Sequence, residues 1–435
     1  MRLPRLFGLL GVGILVVAVA APVGVASGSS IPVISASSMV PTFTTLGGAS
    51  PQPSSDTVAH FWSSSLDPAN GVTYGYNMVG ANPATCIGSG CVTDVTVDIT
   101  PINLEVGGMM FSAGTTSSGV LKATLDSPVF ARNDYASTPA ATAAGQWPND
   151  PQMVKGKGGR LLPAMKGQDL QLEDATMRAQ FNRQGASDPY HVLLTPNVQS
   201  PITITVPGNE GILLQTKLGV VFPAVSYSWW VSQINGFITT ATPTDLPLYL
   251  TNSVILYTGT GLKSCCVIGF HGATSSANGN GSQHVQTYAW ASWVQPGIFS
   301  APNGGTYWAL QDIHALSHEI SEWADDPFVN NAVQPWLTPY ALQYGCSSYL
   351  ETGDPVVGIG FAMGTNTFEQ GPTPSGATVA DGYYHPEDEV FYPWFLRLDP
   401  SPSASPQTPT AYGGRYTLMG TLNPFAGFQQ PAMGC

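Results

Sequence analysis

Charge is scarce in this chain, and positive charge is scarcest. Only 9% of the 435 residues are charged, and 14 Lys and Arg face 27 Asp and Glu, a formal net charge of −13. A nucleic-acid partner is excluded on that ground, because a phosphate backbone needs clustered Lys and Arg. Lys155, Lys157, Arg160, Lys166, Arg178 and Arg183 do cluster. The Gly-rich part from Lys155 to Lys166 reads as an exposed loop, or as a processing site after a pro-segment. Disorder is excluded too, since disordered chains are poor in hydrophobic residues and rich in charge, whereas 43% of this chain is hydrophobic. Beyond the N-terminus no apolar run is long enough to span a bilayer. The six cysteines show no spacing of a Cys-based zinc site, and there is no internal repeat.

What is present begins with an export signal. Arg2 and Arg5 precede an apolar run from Leu6 to Ala20, and Gly24 and Ala26 stand at −3 and −1 of a cleavage after Ala26. That is the layout of a secretory signal peptide, so the expectation is a secreted, extracellular protein with no stable membrane insertion after cleavage. An exported chain permits disulfides. Cys86 and Cys91 bracket a short loop and are expected to pair. Cys346 with Cys435 is the second expected pair, and the state of the adjacent Cys265 and Cys266 is left open.

The length suggests two domains after residues 1–26. Residues 27–150 read as a β-rich N-terminal domain or pro-region, and 151–435 as a mixed α/β metallopeptidase-like domain with an active-site helix, an α+β class overall. Val92 to Ile99 alternates with period two, as a half-buried strand does. Ile202 to Val206, Ser253 to Tyr257 and Cys266 to Phe270 also read as strands, and Gly272 to Gly281 as a loop. Leu170 to Phe181 carries helix formers. A second helix is expected from about Tyr307 to Asp325, stopped by Pro327. Residues 400–409 read as an irregular connection.

The second helix carries the chemistry. At 100° per residue, His314, His318, Ser321, Glu322 and Asp325 share one face, while Ile313, Leu316, Ile320 and Trp323 fall opposite, toward a core. His314 and Glu322 are separated by about 12 Å of axial rise, too far to hold one ion together. The choice is between the i, i+4 pairs His314/His318 and His318/Glu322. In peptidases of the His-Glu-x-x-His type the general base follows the first ligand directly. For His314 that residue is the inert Ala315; for His318 it is Glu319. His318 and Glu322 are therefore the expected ligands, with Glu319 taking a proton from metal-bound water and His314 behind the ligands or at the substrate. In the later Glu351-Thr352-Gly353-Asp354, Glu351 is the expected third ligand, and Asp354 is expected to accept from the far nitrogen of His318. His271 and His385 are the remaining catalytic candidates, as ligands or as stabilisers of an oxyanion. The acidic stretch Asp381, Glu387, Asp388 and Glu389 reads as a solvated loop.

The order His318-Glu319-x-x-Glu322 followed by Glu351-x-x-Asp354 resembles the gluzincin zinc peptidases, departing from them in having Glu322 where they have His. Ile268-Gly269-Phe270-His271, Ser317 to Glu322, Asp326 to Asn330 and Glu351 to Asp354 resemble the EXORDIUM-like, phosphate-induced secreted proteins over about residues 250–360. The first resemblance implies a zinc peptidase core. The second implies an extracellular protein linked to cell walls and growth, with no settled enzymatic activity.

The function expected is a secreted metal-dependent hydrolase. In particular it is a zinc peptidase acting on a peptide or protein, with another divalent metal as a possible substitute. A substrate strand would add to Val267–Phe270. The alternative is a non-catalytic extracellular EXORDIUM-like protein with a structural or vestigial metal site. A third class is cell-wall polysaccharide hydrolysis by paired carboxylates.

Overall fold

The computed structural model describes residues 33–34, 42–43, 56–135, 167–259, 262, 265–277, 283–299, 309–337, 346–368, 382–398 and 416–418. The expected signal peptide at 1–26, the expected loop from Lys155 to Lys166, Cys435, Asp381 and the expected connection at 400–409 lie outside the described residues. The class is α+β with more strand than helix.

One twelve-stranded sheet, curled into a half-barrel, organises the molecule. Its path runs Val33–Ile34, Gly211–Thr216, Val221–Ser226, Ile255–Tyr257, Cys265–Ala277, Gln283–Trp293, Leu246–Asn252, Val92–Val106 and Ile202–Thr205. Thr42–Phe43, Met109–Phe111 and His191–Val198 pair alongside. Val92–Val106 lies parallel to Leu246–Asn252 on one edge and to His191–Val198 on the other. Strands from both sides of residue 150 thus share one sheet, and removing residues 27–150 would take a strand from its middle.

The strand Val92–Val106 also shows how one sheet serves two cores. Val95, Val97 and Ile99 are buried on one face, and Ile102, Leu104 and Val106 on the other, so the alternation changes phase at Pro101. The second face is closed by the helix Tyr227–Ile238, through Trp230 and Ile234. The first face receives the helix His314–Asp325, packed on Cys265–Ala277 and Gln283–Trp293. Gly269, His271 and Ala273 pair there with Ala291, Ala289 and Thr287. Small side chains let the helix approach closely, and Trp323 Nε1 donates to Thr287 Oγ1 at 3.0 Å.

Several expectations are corrected. Cys265–Ala277 is one long strand through the segment expected to turn at Gly272, because its small residues pair continuously with Gln283–Trp293. Val267 to Phe270 has strand neighbours on both edges, which leaves no free edge for a substrate strand. The second helix begins at His314 rather than Tyr307; Asp312, at φ 44°, takes a left-handed conformation that breaks it. The helix Leu172–Gln180 falls where helix formers predicted it. Cys86 pairs with Cys91, and Cys265 with Cys266. No helix of the described residues is long and apolar enough to cross a membrane.

Candidate metal centre

Every residue of the helix His314–Asp325 is buried, so its polar face meets protein rather than solvent. The covering segments are 350–357 and 384–390. Residues 359–363 and 384–388 bridge antiparallel, through Gly360 with Glu387 and Met363 with Tyr384. The amide of Glu387 donates to Ser317 Oγ at 3.0 Å, tying this pair to the helix. Past its C-terminus, Asp326 accepts from the amides of Asn330 at 2.9 Å and Asn331 at 3.0 Å, which closes the Asp326-Pro327-Phe328-Val329-Asn330 turn. Asn331 then donates to the carbonyls of Asp325 at 2.7 Å and Asn77 at 2.6 Å.

Three groups of donors converge along the helix. Nε2 of His318 is 3.1 Å from Glu322 Oε1 and 4.0 Å from Asp354 Oδ1. Nδ1 of His271 is 3.2 Å from Glu319 Oε2 and 3.5 Å from Glu322 Oε2. His318 also forms a group with Glu387 and Glu389, its Nδ1 standing 2.6 Å from Glu387 Oε2. Within each group the donor atoms lie within 4.8 Å of one another, close enough to share an ion.

The sequence-predicted residues are therefore mostly brought together, with some positions exchanged. Asp354 shares the Nε2 side of His318 with Glu322, where Glu351 was expected. Glu351 is buried beside Glu322 but belongs to none of the three groups. Glu387, not Asp354, accepts from the other nitrogen of His318. His314 Nε2 lies 3.6 Å from Glu387 Oε1, behind the His318 ring. His385 is held by Asp312 Oδ2 at 2.7 Å and Gln311 Nε2 at 3.1 Å, and belongs to none of the three groups.

Glu387, Asp388 and Glu389, expected in a solvated loop, are 0%, 0% and 1% exposed. The sequence carries a signal for this that its acidity masks. The run leads straight into Val390-Phe391-Tyr392-Pro393-Trp394-Phe395, an apolar segment that is itself buried. Two glycines were also missed as site residues. A Cβ on Gly269 would stand 2.5 Å from Glu319 Oε1, and one on Gly353 would overlap the His318 ring. Both backbones reach the helix only because they carry no side chain.

Burial sets the electrostatics. On its own it would lower the His318 imidazole, but the carboxylates of Glu322 and Glu387 outweigh it and hold the group well above its ordinary range. Glu322 is the mirror case, since His318 and His271 overcome desolvation and bring it below the ordinary value. Desolvation, reinforced by neighbouring carboxylates, raises Glu319, Glu351, Asp354 and Glu389 well above theirs, and takes Glu387 to about 7. Burial lowers His271 to about 4 and holds His314 well below its ordinary range. The protein's own groups thus sustain one strong ion pair, His318 with Glu322, and the surrounding carboxyls favour their neutral forms.

Comparison of the chain with protein-family models, with curated proteins and with solved structures finds no match. The functional reading rests on the residues themselves.

Proposed function

We propose that the chain is a secreted metal-dependent hydrolase acting on a peptide or protein, with zinc or another divalent ion at His318 and Glu319 as general base. The observation that carries this is buried acid in excess of its basic partners. Glu319, Glu322, Glu351, Asp354, Glu387 and Glu389 surround His318 and His271. Among the described residues, every ion pair these carboxylates make is with a histidine. An unbalanced buried carboxylate costs several kcal/mol even after relaxation, and a divalent cation offsets that cost. Nitrogen and oxygen donors suit zinc, and the carboxylate-rich set suits manganese as well.

The donors we assign are His318 Nε2, Glu322 Oε1 and Asp354 Oδ1. A cation held by them would supply Lewis-acid activation of a water. Glu387 fixes the His318 ring by accepting from Nδ1, as partners behind metal ligands do. Glu319 takes the proton at Oε1, the oxygen with no hydrogen-bond partner among the described residues. His271 holds the other oxygen at 3.2 Å. The resemblance to gluzincins supports a peptidase over other hydrolases, and the segment ending at Ala26 supports export.

One observation favours a second reading, a non-catalytic extracellular protein with a structural ion. His318, Glu319 and Glu387 are 0% exposed and Glu322 is 2%, and an ion shut away from solvent is out of reach of a peptide substrate. Metal analysis joined to a peptide-library assay separates the two. The hydrolase reading expects a bound ion, and cleavage that is lost with chelator or with Glu319→Gln. A stoichiometric ion without cleavage supports the structural reading. Cleavage indifferent to both treatments removes the mechanism.

A further inference from the structure

Glu322 presents its two oxygens to two different histidines. Oε1 faces Nε2 of His318 at 3.1 Å, and Oε2 faces Nδ1 of His271 at 3.5 Å. The His271 nitrogen also lies 3.2 Å from Glu319 Oε2, so two carboxylates converge on one ring atom. A single proton on that nitrogen can serve only one of them well. Glu319 and His271 are both 0% exposed, and Glu319 Oε1 has no hydrogen-bond partner among the described residues.

An ion can satisfy both contacts at once, where a hydrogen bond serves only one. Ligands at about 2.0–2.1 Å from a tetrahedral ion stand roughly 3.3–3.4 Å from one another. The separations of 3.2 and 3.5 Å about His271 Nδ1 bracket that spacing. We propose that His271 Nδ1, Glu319 Oε2 and Glu322 Oε2 form a second divalent-cation site, and that the Glu322 carboxylate bridges it to the ion at His318, Glu322 and Asp354. The centre is then dinuclear, with its ions about 3.5–4 Å apart, as in two-metal hydrolases. This deepens the metal-centre reading and rests on it. Glu319 divides its oxygens, Oε2 to the second ion and Oε1 to the proton.

The test is a manganese titration of the chelator-stripped full chain, with bound metal counted after equilibrium dialysis and the ions observed by electron paramagnetic resonance. Two ions per chain are expected. The isolated six-line signal of the first should give way to an exchange-coupled spectrum as the second binds. His271→Ala should bind one ion and keep the uncoupled signal. If that variant does not fold, the spectrum of the unaltered chain decides alone. One uncoupled ion in the unaltered chain overturns the second site and leaves the first standing. Two uncoupled ions place the second elsewhere and overturn the bridge. No bound ion overturns both this inference and the proposed function.

Discussion

Nδ1 of His318 and Oε2 of Glu387 meet at 2.6 Å across 69 residues of sequence, both fully buried. This contact directs the opposite nitrogen of the ring toward Glu322 and Asp354. In the proposed centre, Glu387 is a positioning residue that does not touch the His318 Nε2 side. Glu387→Gln should lower metal affinity roughly 10–100-fold, the usual cost of losing such a partner. Competition with a chromophoric chelator measures it. An unchanged affinity would remove Glu387 from the centre.

Gly353 lies against the His318 imidazole so closely that any side chain overlaps the ring. Gly353→Ala should cost about 1–3 kcal/mol of stability as overpacking. It should also weaken metal binding, because the ring is rigidly placed and must shift. Denaturant melts with and without metal separate the two effects.

Asn331 fastens the end of the helix His314–Asp325 to the hairpin of His60–Leu66 and Thr73–Val79, accepting from the Asn77 amide at 2.9 Å and donating to two carbonyls. Asn331→Ala leaves those backbone groups unsatisfied, at about 1–3 kcal/mol for each buried one. A fall in urea midpoint of that order is expected, with metal stoichiometry retained in the folded fraction.

Buried carboxyls give the metal-free chain an unusual pH dependence. Burial raises Asp325 to about 7 and Asp326 to about 8, from 3.8. Across that interval the folded chain keeps protons that the unfolded chain releases, so stability falls as pH rises. His271 and His314, lowered from 6.5, oppose this only below that value. The metal-free chain should therefore unfold at lower denaturant at pH 8 than at pH 6.5. A cation competes with protons for the proposed ligands His318 and Asp354, both raised above their ordinary values, so the stabilisation on adding metal should grow as pH rises.

Much of the centre was legible locally. The i, i+4 spacing of His318 and Glu322 places both on one helical face whatever surrounds it, and Glu319 follows from adjacency. Val92 to Ile99, the first part of the strand Val92–Val106, and the helix Leu172–Gln180 were readable because period two and helix propensity are properties of neighbouring residues. Asp354 stands on the Nε2 side of His318 where Glu351 was expected, while Glu387 takes the place expected of Asp354. Which of two carboxylates three residues apart reaches an imidazole depends on the path of the loop.

The sequence by itself determined that a His-Glu-x-x-Glu helix exists in a chain nearly empty of basic residues, because helical periodicity and composition need no tertiary context. Only the tertiary structure decided that this helix is buried on both faces. It alone brought Glu387 and Glu389 to His318 and divided Glu322 between two histidines. Those contacts join segments that are far apart in the chain. They depend on a sheet whose strands come from both halves of the molecule, and on glycines at 269 and 353 that let backbone and helix touch.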